Sequence, residues 1–145
     1  MDTILKRYID DYGSFVFRKQ DNLRTVCCAP NQKAGVYLFY DVTNGEKNLI
    51  YIGCSGHINN DGKLNIRKSG LRGIKGRIVN GHQFKLKRYE SLPLQMEKDN
   101  IEVLEIHWFA THTTDFIHSP SFVESCLLQD YYEENGKLPK WNKRF

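Results

Sequence analysis

The sequence predicts a small α/β domain of the α+β type, with helices flanking a mainly antiparallel central sheet. Three observations carry that expectation. Residues 35–42 and 48–54 are rich in β-branched and aromatic side chains, and they flank Thr43-Asn44-Gly45-Glu46, a strong hairpin turn. Residues 101–109 alternate around Val103, Leu104, Ile106 and Trp108, the pattern of a third strand. Residues 121–134 are the clearest helical stretch, opened by Ser119-Pro120-Ser121 and ended by Gly136 and Pro139.

The other elements follow in chain order. Ile4, Leu5, Tyr8, Ile9 and Tyr12 fall at helical spacing, which predicts a short amphipathic helix over residues 3–12, ended by Gly13. Residues 15–17 and 23–28 read as short extended segments, and Ala29-Pro30-Asn31 as a break. Beyond the hairpin, residues 56–69 are polar and irregular, with Asn59-Asn60-Asp61-Gly62 as a second turn. Leu71, Ile74 and Ile78 return to helical spacing. Gly70, Gly73 and Gly76 weaken that helix by about 1 kcal/mol each relative to alanine, so its regular part is expected over about residues 73–80.

At 145 residues, 40% hydrophobic and 26% charged, the chain is long enough for one domain with its own core. No run approaches the ~18 apolar residues of a membrane span, and the N-terminus lacks the apolar core of a signal peptide. The expected location is cytoplasmic, away from the membrane. Cys27, Cys28, Cys54 and Cys126 form no Cys-x-x-Cys pair and read as buried free thiols of a reducing compartment. His107, His112 and His118 lack the spacing of a zinc site.

The net charge of +4 is unevenly spread. Residues 62–89 hold Lys63, Arg67, Lys68, Arg72, Lys75, Arg77, Lys85, Lys87 and Arg88 with no acid, interspersed with Asn80, His82 and several glycines. Lys137, Lys140, Lys143 and Arg144 form a second cluster near the C-terminus. A run of charge is commonly a solvated face, but this mixture also suits close approach to a phosphate backbone. On those grounds Lys63, Arg67, Lys68, Arg72, Lys75 and His82 are the candidate nucleic-acid contacts.

Five further residues could carry chemistry. Tyr37 and Tyr51 each stand near a glycine on a strand of the hairpin. Side chains alternate along a strand, so the two phenols share a face only if the pairing has the right parity. A two-residue loop centred on Asn44-Gly45 would pair Tyr37 with Ile52 and split them. An odd loop would set Tyr37 opposite Tyr51. If both serve one site, an odd loop or a bulge is required. Arg77 sits three residues after Ile74, beside the apolar stripe of its helix, where it can lean over the sheet edge and stay wet. Glu124 either closes a capping box with Ser121 or, if the helix starts at Pro120, is released to face the sheet and bind a divalent cation. The Asn142 amide could orient a phosphate or a neighbouring side chain, with Trp141 anchoring its segment.

Together these residues resemble the GIY-YIG nuclease family. Gly35-Val36-Tyr37 is similar to its first motif and Ile50-Tyr51-Ile52-Gly53 to its second. Arg77 resembles its helical arginine, Glu124 its metal-binding glutamate and Asn142 its final asparagine. The resemblance covers about residues 34–145, which makes residues 35–145 the nuclease-like domain and residues 1–34 an extension packed on it. Arg72 is a rival for Arg77, because the segment after Gly53 is longer than in minimal members. Asn135 is a rival for Asn142. One turn after Arg77 the family often has a histidine or tyrosine; here Gly81 stands there, with His82 next.

The resemblance implies hydrolysis of DNA phosphodiesters with Mg²⁺ or Mn²⁺ held by Glu124. Tyr37 would be the general base, Tyr51 its support at the phosphate, and Arg77 the clamp on the transition state. Since an unperturbed phenol is a weak base at neutral pH, nearby cations should favour its ionised form. The alternative is a module with the same fold that binds nucleic acid without cutting it. Because short nucleases often cut duplexes as pairs, a homodimer is among the expected partners alongside DNA.

Overall fold

The computed structural model describes residues 1–66, 70–112 and 117–145. A short helix α1 (Asp2–Leu5) runs into a 3-10 turn (Lys6–Tyr8), then strand β1 (Tyr12–Arg18) and helix α2 (Leu23–Val26). The hairpin strands β2 (Gly35–Asp41) and β3 (Asn48–Ser55) come next, followed by a small ladder of β4 (His57–Ile58) and β5 (Leu64–Asn65). Helix α3 (Gly73–Asn80) leads to a second small ladder, β6 (His82–Gln83) and β7 (Leu86–Lys87). Helix α4 (Arg88–Lys98), strand β8 (Val103–Ala110) and helix α5 (Pro120–Asn135) complete the order.

The central sheet has the order β1-β8-β2-β3, and all its ladders are antiparallel. The expected α+β class is therefore the observed one. Alternation gives the sheet two apolar faces. One carries Phe15, Phe17, Tyr37, Phe39, Leu104, Ile106 and Trp108 and is covered by Ile74 and Ile78 of α3 and Leu92 and Met96 of α4. The other carries Val36, Leu38, Ile52 and Phe109 and is covered by Leu5, Tyr8 and Val123, Leu127 and Leu128 of α5. Ile74 and Ile78 are fully buried, a burial worth about 1.5–3 kcal/mol for each such side chain. They hold the turn of α3 that presents Arg77. Among the described residues, no helix is long and apolar enough to cross a membrane.

Several expectations need correction. Of residues 23–28, Leu23–Val26 are helical rather than extended: the Asn22 side chain accepts from the Thr25 N–H at 3.2 Å and starts α2, and Cys27 returns to extended backbone. The N-terminal helix ends at Tyr8, because Tyr12 already pairs with Phe109 across the β1–β8 ladder. Leu5 and Tyr8 lie in the core cluster beside α5, and Tyr12–Arg18 supplies an edge strand of the central sheet. Cys28 is exposed rather than buried. Helix α4 is not among the expected elements, and Pro93 lies inside it. A proline there forgoes a backbone hydrogen bond and costs about 3 kcal/mol. The helix is held by Ser91, Leu92 and Met96, all buried on one side.

Candidate active site

The site begins with a one-residue irregularity. On the turn side, Asp41 pairs with Asn48 and Tyr40 with Leu49, the parity of a loop centred on Asn44-Gly45. That register would separate the two tyrosines. The register then shifts by one, so that Phe39 pairs with Tyr51 and Tyr37 with Gly53, with Ile50 as the extra residue of a β-bulge. The expected bulge is present, the odd loop is not, and Tyr37 stands diagonal to Tyr51 rather than opposite it. Their rings share a face with centroids 6.2 Å apart.

The motif glycine has a physical reason in this arrangement. The Tyr37 ring lies over Gly53, and a Cβ there would sit 2.5 Å from it. Tyr37 is therefore packed down to 1% exposure, while Tyr51 stays half-buried and lines a cleft.

β3 is an edge strand, and the site forms over that edge. One cleft, of about 440 Å³, is lined by Tyr51, His82, Lys85, Glu124, Asn142 and Arg144 among others. A second, of about 630 Å³, is lined by Cys54, His57, Arg77, His82 and Lys87 among others. His82 belongs to both. Tyr51 reaches the edge from the face under α3 and α4. Glu124 reaches it on α5, which packs on the opposite face. The groups therefore converge around the strand's edge, not on one face as expected.

Glu124 is free of capping duty because α5 starts at Pro120, with Ser119 as its cap residue and no capping side-chain bond. Burial holds its carboxyl above the usual range; the neighbouring Cys54 thiol and the Arg77 guanidinium oppose that shift. Cys54 in turn is pushed up to about 12, first by burial and then by the Glu124 charge. Of the described residues lining both clefts, Glu124 is the single acid. Among the described residues, no group of three His, Cys, Asp or Glu side chains gathers. A divalent cation here would take one protein carboxylate and fill its shell with water and phosphate oxygens, a familiar way of holding Mg²⁺.

The Tyr51 phenol is pushed up to about 12, mainly by burial and by Tyr37; Arg88 opposes the shift without overcoming it. The expectation that neighbouring cations favour an ionised phenol concerned Tyr37; at Tyr51, beside it, desolvation outweighs the Arg88 charge. Tyr51 is a neutral hydrogen-bond donor at neutral pH.

By sequence Arg88 is one more charge of the basic run. It is 2% exposed. Its Nε donates to Gln83 Oε1 at 2.8 Å, one terminal nitrogen to the Arg77 carbonyl at 2.6 Å, and the other to the Tyr51 hydroxyl at 3.2 Å. Its guanidinium carbon lies 5.1 Å, 5.5 Å and 5.3 Å from the ring centres of Tyr37, Phe39 and Tyr51. The available signal was spacing: Arg88, Ser91, Leu92 and Met96 mark one side of a helix.

Asn142 spends its amide on the backbone. It donates to the Ile52 carbonyl and accepts from the Ile52 N–H, both at 2.9 Å. The Trp141 N–H bonds the Ile50 carbonyl at 2.8 Å, and Trp141 is buried as anticipated. The tail thus closes the free edge of β3 beside Tyr51. Asn135 sits at the end of α5 with its amide on Tyr131, and it lines neither cleft.

The basic candidates divide. His82 lines the clefts, whereas Lys63, Arg72 and Lys75 do not. Arg67 and Lys68 lie outside the described residues. Arg77 is exposed at the cleft and Arg72 only precedes α3, which favours Arg77 over its rival. Lys85, Lys87, Lys143 and Arg144 supply the cations the clefts do contain. No protein-family model matches the chain, nor does any curated protein or solved structure.

Proposed function

We infer that this protein is a metal-dependent DNA endonuclease of the GIY-YIG type. The observation that carries the reading is the composition of one sheet edge: Tyr51, Arg77, His82 and Glu124, the single acid among the described lining residues, line adjoining clefts otherwise rich in cations. Such a surface attracts a polyanion and provides one point where a metal can meet it.

Glu124 would hold the Mg²⁺ or Mn²⁺. The bound ion supplies charge neutralisation at the phosphate and at the leaving oxygen. Arg77, exposed at the cleft, binds the non-bridging oxygens, whose charge grows towards the transition state. Arg88 has only donors, so the Tyr51 oxygen accepts from it and the Tyr51 proton is available to a phosphate oxygen. A water oxygen bonds to phosphorus, the bond to the leaving sugar oxygen breaks, and that oxygen takes a proton from solvent. Burial removes Tyr37 from the role of base; it forms the floor on which Tyr51 is set. The water proton passes to the imidazole of His82, which lines both clefts.

A module that binds without cutting would use the same cation-rich clefts. Incubation of supercoiled plasmid with Mg²⁺ or Mn²⁺, read for both retardation and cleavage, separates the readings. Cleavage that is lost in Arg77→Ala while retardation persists supports the nuclease. Retardation without cleavage across duplex, branched and single-stranded DNA supports the module.

A further inference from the structure

We propose that Arg88 is the positioning residue of this site: by bonding the Tyr51 hydroxyl and the Arg77 carbonyl with one guanidinium, it fixes the phenol and the arginine helix in a single geometry. The inference rests on the nuclease reading only for the identity of the substrate.

A buried arginine is usually balanced by a carboxylate. Among the described residues no ion pair involves Arg88. Its charge is met instead by the faces of Tyr37, Phe39 and Tyr51, whose ring quadrupoles attract a cation. Keeping a desolvated charge without a counter-ion is expensive, and simple packing at this place would be served by an apolar residue. What the guanidinium adds is its rigid fork. Alongside the Gly81 N–H it bonds the carbonyl of Arg77, the residue whose side chain lines the cleft, and it donates to one lone pair of the Tyr51 oxygen.

Neighbouring residues are arranged around that fork. A Cβ at position 81 would lie 2.3 Å from the Arg77 carbonyl oxygen and 2.6 Å from the Arg88 nitrogen, so only glycine leaves room for this bond. The Gly81 carbonyl also accepts from the Arg88 N–H at 2.9 Å, which ties the start of α4 to the end of α3. Gln83 holds the third side of the fork through its carbonyl oxygen. Lysine has the charge but a single point of donation, so it cannot serve Gln83, Arg77 and Tyr51 together in this geometry.

The test compares wild type, Arg88→Lys, Tyr51→Phe and the double variant, all checked by thermal melting. Protein labelled with ¹³Cζ-tyrosine gives a Tyr51 signal, assigned by its loss in Tyr51→Phe. In Arg88→Lys this signal should move, while that of exposed Tyr132 stays in place. In single-turnover plasmid cleavage with Mg²⁺, Arg88→Lys should slow the step about tenfold or more, with half-saturating DNA within about threefold. In the Tyr51→Phe background the same change should cost less than about threefold, because the two residues act as one unit. An unmoved Tyr51 signal, or equal rate losses in both backgrounds, overturns the proposal. If wild type does not cleave, the nuclease reading falls and the tyrosine signal alone decides the role of Arg88. Should Arg88→Lys fail to fold, Gln83→Met, which removes only the acceptor of Nε, is read by the same criteria.

Discussion

Tyr37 pairs with Gly53 across the hairpin, and its ring fills the space that a side chain at position 53 would need. The Tyr51 ring stands beside it, with the two centroids 6.2 Å apart. Gly53→Ala should therefore displace a fully buried aromatic ring and cost about 1–3 kcal/mol, the range for overpacked cores. Denaturant unfolding measures it. A loss below the error of that method would show that the ring does not need this space.

Asn142→Ala removes two hydrogen bonds from the Ile52 backbone and leaves the β3 edge partly open. Net bonds of this kind are worth about 0.5–1.5 kcal/mol each, so stability should fall by about 1–3 kcal/mol. Hydrogen exchange at the Ile52 amide should speed up more than at Ile106, which lies in the sheet interior. If Asn142 instead acted on substrate alone, cleavage would fall with Ile52 exchange unchanged.

Glu124 is held above the usual carboxyl range by burial. A group with a raised folded pKa adds stability that is complete below its unfolded pKa and lost as pH rises through the folded value. Glu124→Gln should therefore raise the melting temperature at pH 7 and change it little at pH 4. Millimolar Mg²⁺ or Mn²⁺ should raise the wild-type melting temperature at pH 7 and leave Glu124→Gln unmoved. Equal metal shifts in both proteins would place the ion elsewhere.

The thiols should differ sharply in reactivity. Burial pushes Cys27 up to about 11, and burial with the Glu124 charge pushes Cys54 up to about 12, whereas Cys28 is exposed. Since the thiolate is the reactive form, iodoacetamide at pH 8 should modify Cys28 well before Cys27 or Cys54 in the folded protein. Peptide mass spectrometry over time reads the order. Early labelling of Cys54 would contradict the closed contact with Glu124.

Local pattern carried much of this architecture. Asn44-Gly45 marked the hairpin, Pro120 and Gly136 bounded α5, and Ile74 and Ile78 identified the buried side of α3. Other features depend on partners distant in the chain. The bulge at Ile50 bears no glycine or proline signature; its carbonyl is met by Trp141. A helical wheel shows that Glu124 points inward, but it cannot say which face of a sheet the helix will cover. Arg88 sits among basic residues in sequence, and only folding puts the aromatic faces of two strands around it. Tyr51 illustrates the same limit in energy: the cations near it were legible, but the desolvation that outweighs them was not.

Cleavage by wild type and Glu124→Gln tests the central claim most directly, because that change removes, at almost constant shape, the carboxylate that would hold the metal. Both proteins are confirmed folded by thermal melting, then incubated with supercoiled plasmid and Mg²⁺ or Mn²⁺. The account predicts nicked or linear product from wild type at a rate that Glu124→Gln lowers by about 100-fold or more, as for the loss of a group central to transition-state charge. Equal cleavage by the two proteins, or no cleavage by wild type with either metal, would contradict it.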